Sequence, residues 1–209
     1  MVHRGRWGEA WAPEAAAPWG AVLDFWFGPL SPEGEALPTF AQRWWIKDPA
    51  FDEALRRRWA PHYAALAAGD RGWVDSPMGR LAAILVLDQG GRNMFRGTPL
   101  MYALDPLALE LALEGLDAEE DQALPRAARG FLYMPLMHAE ELALQERCVT
   151  YFDRLAQERG GAEGGSSDYA RQHRDIIARF GRFPHRNAIL GRESSDEERA
   201  FLKTPGSSF

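Results

Sequence analysis

Capping residues followed by proline recur along this chain and predict where its helices begin. Asp48-Pro49, Ser76-Pro77 and Asp105-Pro106 each offer a side-chain oxygen at an N-cap and a proline at the first helical position. Apolar residues then recur at spacings of three and four, which is the period of a helix with one buried face. Because no stretch carries the signals of paired strands or a hairpin turn, the chain is predicted to be all-α.

The predicted architecture is one all-helical domain of seven to nine helices, packed as antiparallel hairpins. This domain is expected over residues 18–203. A loose N-terminal segment at residues 1–17 and a loose C-terminal tail at residues 204–209 are expected outside it.

Glycine, proline and serine mark the breaks between the predicted helices. Gly90-Gly91 is expected to interrupt the helix that follows Ser76-Pro77. The longest helix is expected from about residue 136 to residue 158, because its apolar spacing continues without a breaker. Further expectations are a helix opened by Pro18, a flexible linker at residues 160–167, a helix capped by Ser167 or Asp168, a capping box at residues 194–198, and core positions for Trp26, Trp44, Trp45 and Trp59.

Composition limits the class of function. The chain has 209 residues, of which 46% are hydrophobic, and a formal net charge of -6. An acidic chain without a broad basic field is not expected to bind nucleic acid. No stretch approaches the roughly 18 apolar residues of a membrane span, so no membrane contact is expected. The single Cys148 fits a cytoplasmic location, and its apolar helical surroundings predict an inert buried thiol.

The stretch D-Q-G-G-R-N-M-F-R at residues 88–96 is the first candidate site. Arg92 and Arg96 are four residues apart and share one face of a helix. Together with Asn93 they would clamp an anion, with Asp88 orienting one arginine. The alternative is that Asp88 neutralises an arginine between two helices, which is the commoner use of such a pair.

His138 and Glu141 form the second candidate site. They are three residues apart and would share one face of the predicted long helix. A histidine and a carboxylate at this spacing can transfer a proton or supply two metal ligands. No second such pair is present in the sequence, so a site for two metal ions between helices is disfavoured. No metal and no cofactor are expected. The alternative is a core histidine that a nearby carboxylate satisfies.

The stretch R-F-G-R-F-P-H-R-N-A-I-L-G-R at residues 179–192 is the third candidate site, with four arginines and no acid. Pro184 at a first helical position is expected to leave the amides of Arg186 and Asn187 free to bind an anion. The alternative is a buried ionic network that ties helices together. The residues expected in this site are Arg182, His185, Arg186 and Asn187, with His173 within reach.

Five motifs of this chain together resemble the bacterial DUF924 family, an all-helical domain related to tetratricopeptide-like folds. They are L-D-F-W-F-G at residues 23–28, R-W-W at 43–45, L-D-Q-x-x-R-N-M-F-R-G at 87–97, F-L-Y-M-P-L-x-H-x-E at 131–140, and F-G-R-F-P-H-R-N-x-I-L-G-R at 180–192. The family usually has D-Q-F-P-R-N where residues 88–93 of this chain read D-Q-G-G-R-N, so Gly90-Gly91 replaces a phenylalanine and a proline. It usually has H-S-E where this chain has Ala139, so a serine nucleophile is not available there. The resemblance implies a helical-hairpin architecture and no activity, because the family is named for lacking one.

The predicted function is binding of a small anionic ligand, a carboxylate or phosphate compound, in an arginine- and histidine-rich pocket where the three stretches meet. The sequence leaves open whether the protein is an enzyme. Any acid-base chemistry is assigned to His138, Glu141 (with Glu140 as the alternative partner) and Asp88. Ligand contacts are assigned to Arg92, Asn93, Arg96, Arg182, His185, Arg186 and Asn187. Two alternatives remain: a non-catalytic helical adaptor that binds a peptide or protein partner, and a purely structural arginine network.

Overall fold

The computed structural model describes residue 17, residues 19–158, residue 160 and residues 165–208. In this part of the chain the regular structure is helical, apart from one isolated bridge between Leu30 and Ala36. The prediction of an all-α chain with seven to nine helices is confirmed, while the tetratricopeptide-like arrangement stays a prediction. The nine α-helices of the described residues are α1 Gly20–Phe27, α2 Pro38–Ala41, α3 Pro49–Ala67, α4 Pro77–Met94, α5 Asp105–Asp117, α6 Arg126–His138, α7 Leu142–Glu158, α8 Ser166–Phe180 and α9 Asp196–Phe201. Short 3-10 helices lie at Gln42–Trp45, Pro99–Tyr102, Glu120–Ala123 and Pro184–Arg186.

Local capping explains where α3, α4 and α9 begin. The Asp48 carboxylate accepts a hydrogen bond from the Ala50 amide at 2.8 Å, immediately before Pro49. The Ser76 hydroxyl accepts one from the Gly79 amide at 3.1 Å. Ser195 and Glu198 form the predicted capping box at the start of α9.

The expectation that Gly90-Gly91 interrupts a helix is wrong, because α4 continues through both glycines to Met94. A Cβ atom at Gly90 would lie 3.1 Å from a ring carbon of Trp59 on α3. A Cβ atom at Gly91 would lie 3.3 Å from the carbonyl oxygen of Met101. The two glycines therefore allow close packing against α4 rather than ending it.

The prediction of one helix over residues 136–158 is also wrong, since α6 ends at His138 and α7 begins at Leu142. The Gln145 side chain of α7 explains why the chain can turn there. Its amide nitrogen donates to three carbonyl groups at the end of α6, which would otherwise lack helical partners. These are the carbonyls of Leu136 at 3.2 Å, Met137 at 2.7 Å and Ala139 at 2.7 Å.

The start of α8 also differs from the prediction. The helix begins at Ser166 with Gly165 as its N-cap, so neither Ser167 nor Asp168 caps it. The Ser167 hydroxyl instead donates to Asp153 of α7. Residues 161–164 of the predicted linker, residues 1–16 of the predicted N-terminal segment, and Pro18 lie outside the described residues.

The chain divides into two compact units, of which the first contains Met1–Arg96 and Leu100–Pro135. In its described part, α4 packs against α1, α3 and α5. Most of the α4 side chains are buried, including those from Leu81 to Leu87. Trp26 and Trp59 are buried beside α4, as predicted. Trp45 is an exception to the predicted aromatic core, because 62% of its surface is exposed.

The second unit contains Gly97–Pro99 and Leu136–Phe209. Its described core is built where α7 packs against α8. Ile176, Ile177 and Phe183 are buried together, and Phe180 and Phe201 cover them in part. The single domain predicted over residues 18–203 stays a prediction. Among the helices of the described residues, none is both long and apolar enough to cross a membrane.

Candidate functional site

The first candidate stretch, residues 88–96, covers the last turns of α4 and the two residues after its end at Met94, in the first unit. Arg92 binds two carboxylates: Nη1 lies 3.1 Å from Asp88 Oδ1, and Nη1 and Nη2 lie 2.9 Å and 3.0 Å from the two oxygens of Asp105. Burial lowers the pKa of Arg92, but the charges of Asp88 and Asp105 outweigh burial and raise it overall. Arg92 is therefore charged, and its ion pair with Asp105 links α4 to α5.

Arg96 lies beyond the end of α4 and does not share a helix face with Arg92 as predicted, but it also binds a carboxylate. Its Nε and Nη2 lie 2.9 Å and 3.0 Å from the two oxygens of Asp52 on α3. Its Nη2 also donates to Asn93 Oδ1 at 2.9 Å, and the Asn93 side chain donates to the Gln89 carbonyl at 2.8 Å. The bonds to Asp52 raise the pKa of Arg96. The predicted anion clamp is thus occupied by carboxylates of the protein itself.

The third candidate stretch lies in the second unit and also binds internal carboxylates. Arg182 Nε and Nη2 donate to Glu198 at 2.7 Å and 2.8 Å. This pair lowers the pKa of Glu198 to about 2. Arg192 Nη1 and Nη2 donate to Glu140 at 2.6 Å and 2.9 Å, and its Nε donates to Asn187 Oδ1 at 2.9 Å.

The expectation of free amides after Pro184 is wrong. Pro184–Arg186 is a single 3-10 turn, in which the amide of Arg186 donates to the Phe183 carbonyl and that of Asn187 to the Pro184 carbonyl. A 3-10 turn closes with bonds to the third residue back, so these donors are already used. The amide of Phe183, the residue before this turn, donates to Glu140 at 2.7 Å.

Two histidines and an arginine lie against the Phe183 ring, and a third histidine lies beside one of them. We call these four residues the histidine cluster: His138, His173, His185 and Arg186. The His173 and His185 rings each lie 5.5 Å from the Phe183 ring, between centroids. The His138 ring lies 6.4 Å from that of His173. Arg186 Cζ lies 4.6 Å from the Phe183 centroid, and Arg186 Nη2 donates to the His138 carbonyl at 3.0 Å. The chain thus gathers cationic and titratable groups from α6, α8 and the Pro184 turn.

His173 is the buried histidine of this cluster, with 6% of its surface exposed. Burial, together with the positive charges of His138, His185 and Arg186, lowers the pKa of His173 to about 3. Its Nδ1 lies 2.7 Å from the carbonyl oxygen of Tyr169. Because a carbonyl can only accept, neutral His173 carries its proton on Nδ1 and its lone pair on Nε2.

The proposed pairing of His138 with Glu141 on one helix face is wrong. His138 is the last residue of α6, and exposed Glu141 lies in the connection before α7. Their acid-base roles stay predictions, as does that of Asp88. Cys148 agrees with its predicted inert character, because burial raises the pKa of its thiol. Among the described side chains, no three of His, Cys, Asp or Glu are arranged to hold a metal ion.

Each unit brings its own predicted residues together, and the meeting of the two sets around one ligand stays a prediction. Sequence reasoning missed the carboxylates Asp52, Asp105 and Glu198. They lie 44, 13 and 16 residues from the arginines that they bind. No local sequence pattern predicts partners at such distances along the chain. The general signal was the excess of acidic residues, 30 against 24 Lys and Arg.

Comparisons with known proteins agree with the motif resemblance. The family described as "Bacterial protein of unknown function (DUF924)" matches residues 22–206. A solved structure of a protein of unknown function from Agrobacterium tumefaciens is 40% identical, with a TM-score of 0.77. The match covers 90% of this chain and 98% of that one. A comparison with curated proteins gave no significant match.

Proposed function

The chain belongs to the DUF924 family of bacterial proteins of unknown function, and we propose that its histidine cluster binds a small anionic ligand. The ligand is a carboxylate or phosphate compound. The observation that carries the proposal is that His173, His185 and Arg186 lie against the Phe183 ring, with His138 beside His173. Groups with strongly perturbed pKa values are typical of functional sites, which adds weight to this location.

The cluster has the chemistry of an anion site. Arg186 is a permanent cation that is 7% exposed and stacked on Phe183, so its position is fixed. His138 and His185 are half-buried, so solvent reaches them. A bound oxyanion would receive charge-assisted hydrogen bonds from such donors. Imidazole groups in general can transfer a proton near neutral pH, and acid-base chemistry by His138 is part of the proposal.

Four other arginines of the candidate stretches support a different role. Arg92, Arg96, Arg182 and Arg192 each bind a carboxylate of their own unit through two nitrogen–oxygen contacts. This pairing favours the structural-network alternative for these four residues. Participation of Asp88, Arg92, Asn93, Arg96, Arg182 and Asn187 in the ligand site stays a prediction, as do the peptide-binding adaptor and the cytoplasmic location.

Titration calorimetry tests the proposal with sodium phosphate and sodium acetate as probes, at pH 6 and constant ionic strength. Arg186→Gln and His185→Asn are expected to weaken binding of the preferred probe about tenfold or more, which corresponds to the loss of one charge-assisted bond. His62→Asn is the matched control, because His62 is a half-buried histidine of the first unit that packs on Trp73. Equal binding by all four proteins, or no binding of either anion, would contradict the proposal.

A further inference from the structure

Arg43 belongs to the R-W-W motif at residues 43–45, which the proposed function does not use. Its guanidinium lies among three phenylalanine rings of the first unit. Its Cζ atom is 4.3 Å from the ring centroid of Phe40, 5.3 Å from that of Phe51 and 5.7 Å from that of Phe25. Its Nη2 donates to the Phe25 carbonyl at 2.9 Å. The guanidinium is therefore fixed in place by apolar groups and one backbone oxygen.

The charge of Arg43 is not balanced within the described residues. No carboxylate of this part of the chain lies within ion-pair distance of it. Its Nε is buried and donates to no described group. Burial lowers the pKa of Arg43, and no acid opposes this effect. Arg92 and Arg96 of the same unit each bind a carboxylate.

A cation that is drawn out of water without a partner carries a free-energy cost, which a bound anion would offset. The chain is acidic, with a net charge of -6, so the missing partner does not reflect a shortage of carboxylates. The rings beside the guanidinium also limit the kind of anion. Phe25 and Phe40 are half-buried, so each leaves apolar surface beside the charge. A ligand that fits both features has a carboxylate next to an apolar group.

We propose that Arg43 and the rings of Phe25 and Phe40 form a binding site for a carboxylate that adjoins an apolar or aromatic group. The site lies in the first unit and is independent of the histidine cluster. Arg58 adds a second positive charge at its edge, since its Cζ lies 4.7 Å from the Phe25 centroid and the residue is exposed. The carboxylate belongs either to a free small molecule or to a side chain of a peptide.

The test is titration calorimetry of the whole chain with phenylacetate, at pH 7 and constant ionic strength. Phenylacetamide and acetate are the matched probes, which lack the charge and the ring respectively. Phenylacetate is expected to bind at least tenfold more tightly than either. A second pair of probes, Ac-Phe-Glu-NH2 and Ac-Phe-Gln-NH2, shows whether the natural carboxylate comes from a peptide or from a free small molecule. Tighter binding of the acidic peptide than of phenylacetate assigns the carboxylate to a peptide, and the reverse order assigns it to a free small molecule.

Arg43→Met removes the charge and keeps an unbranched side chain against the rings, so this variant is expected to fold. It should weaken phenylacetate binding at least tenfold. Arg43→Lys keeps the charge but loses the planar fork, and it should bind with intermediate affinity. Arg57→Gln, which removes an exposed charge from α3, should bind phenylacetate like the wild type. Circular dichroism confirms that each variant is folded.

Three results would overturn the inference. The first is equal binding of phenylacetate and phenylacetamide by the wild type, because the charge would then have no part. The second is unchanged phenylacetate binding by folded Arg43→Met. The third is the absence of saturable binding of phenylacetate and of the acidic peptide alike. Failure of anion binding at the histidine cluster leaves each of these results unchanged, so the two proposals fail independently.

Discussion

The carboxylate of Glu140 lies 2.6 Å and 2.9 Å from the two terminal nitrogens of Arg192, and it also accepts the Phe183 amide at 2.7 Å. It lies beside the Pro184 turn and accepts the amide of Phe183, whereas the sequence predicted an external anion at the amides of Arg186 and Asn187. A carboxylate with three such donors is held firmly. The contact joins the segment after His138 to the turn that carries His185 and Arg186, so it positions the histidine cluster.

Glu140→Gln is expected to destabilise the second unit. Burial raises the pKa of Glu140, but its bonds to Arg192 and Phe183 lower it overall, so the group is ionised at pH 7. Its side chain is 26% exposed, which limits the effect to about 1–2 kcal/mol of unfolding free energy. Urea denaturation measures the change. The matched control is Glu141→Gln at the exposed neighbouring residue, and an equal loss in both variants would contradict the role of Glu140.

Glu198 is expected to make the stability of the second unit depend on pH below about pH 4.3. Its bonds to Arg182 hold its pKa at about 2, below the value of about 4.3 for an unfolded chain. The resulting stabilisation is complete above pH 4.3 and is lost as the pH falls towards 2. Glu198→Gln should therefore lower Tm by roughly 5 °C at pH 6, with the difference from wild type vanishing near pH 2. A Tm difference that is constant from pH 6 to pH 2.5 would refute this assignment.

Gln145 is expected to stabilise the connection between α6 and α7, which follows His138 of the histidine cluster. Gln145→Met keeps the approximate length of the side chain but leaves the three carbonyls at the end of α6 without their donor. The expected loss is about 2–3 kcal/mol of unfolding free energy. Gln157→Met, at an exposed position on the same helix, should change stability by less than about 0.5 kcal/mol. Similar denaturation midpoints for the two variants would show that the carbonyls find other partners.

His173 is expected to remain neutral in the folded protein from pH 8 down to about pH 4. Its folded pKa of about 3 lies below the unfolded value of about 6.5, so the unfolded state binds more protons between these limits. Stability contributed by this group is therefore present above pH 6.5 and declines as the pH falls towards 3. Nitrogen-15 NMR should show a proton on Nδ1 throughout this range, with the signal assigned through His173→Asn. A titration midpoint above pH 5 would exclude the predicted environment.

The sequence by itself determined the helical class and several helix starts. The caps at Asp48 and Ser76 and the capping box of Ser195 and Glu198 lie where local patterns place them. Capping is a contact between residues at most four positions apart, so its participants are visible in the chain. The sequence also identified the clusters around residues 88–96 and 179–192, because their members are neighbours in the chain.

Tertiary structure alone decided which acid binds which arginine and where a helix stops. Arg192 binds a carboxylate 52 residues away, and Arg96 binds one 44 residues away. The break after His138 depends on Gln145, which replaces helical hydrogen bonds from outside α6. A desolvated guanidinium requires a hydrogen-bonding or charged partner, and a buried carbonyl requires a donor. The sequence shows that such partners are needed, but it does not show which residues they are. That choice follows from how the helices pack, and packing depends on shape complementarity between segments that are remote in sequence.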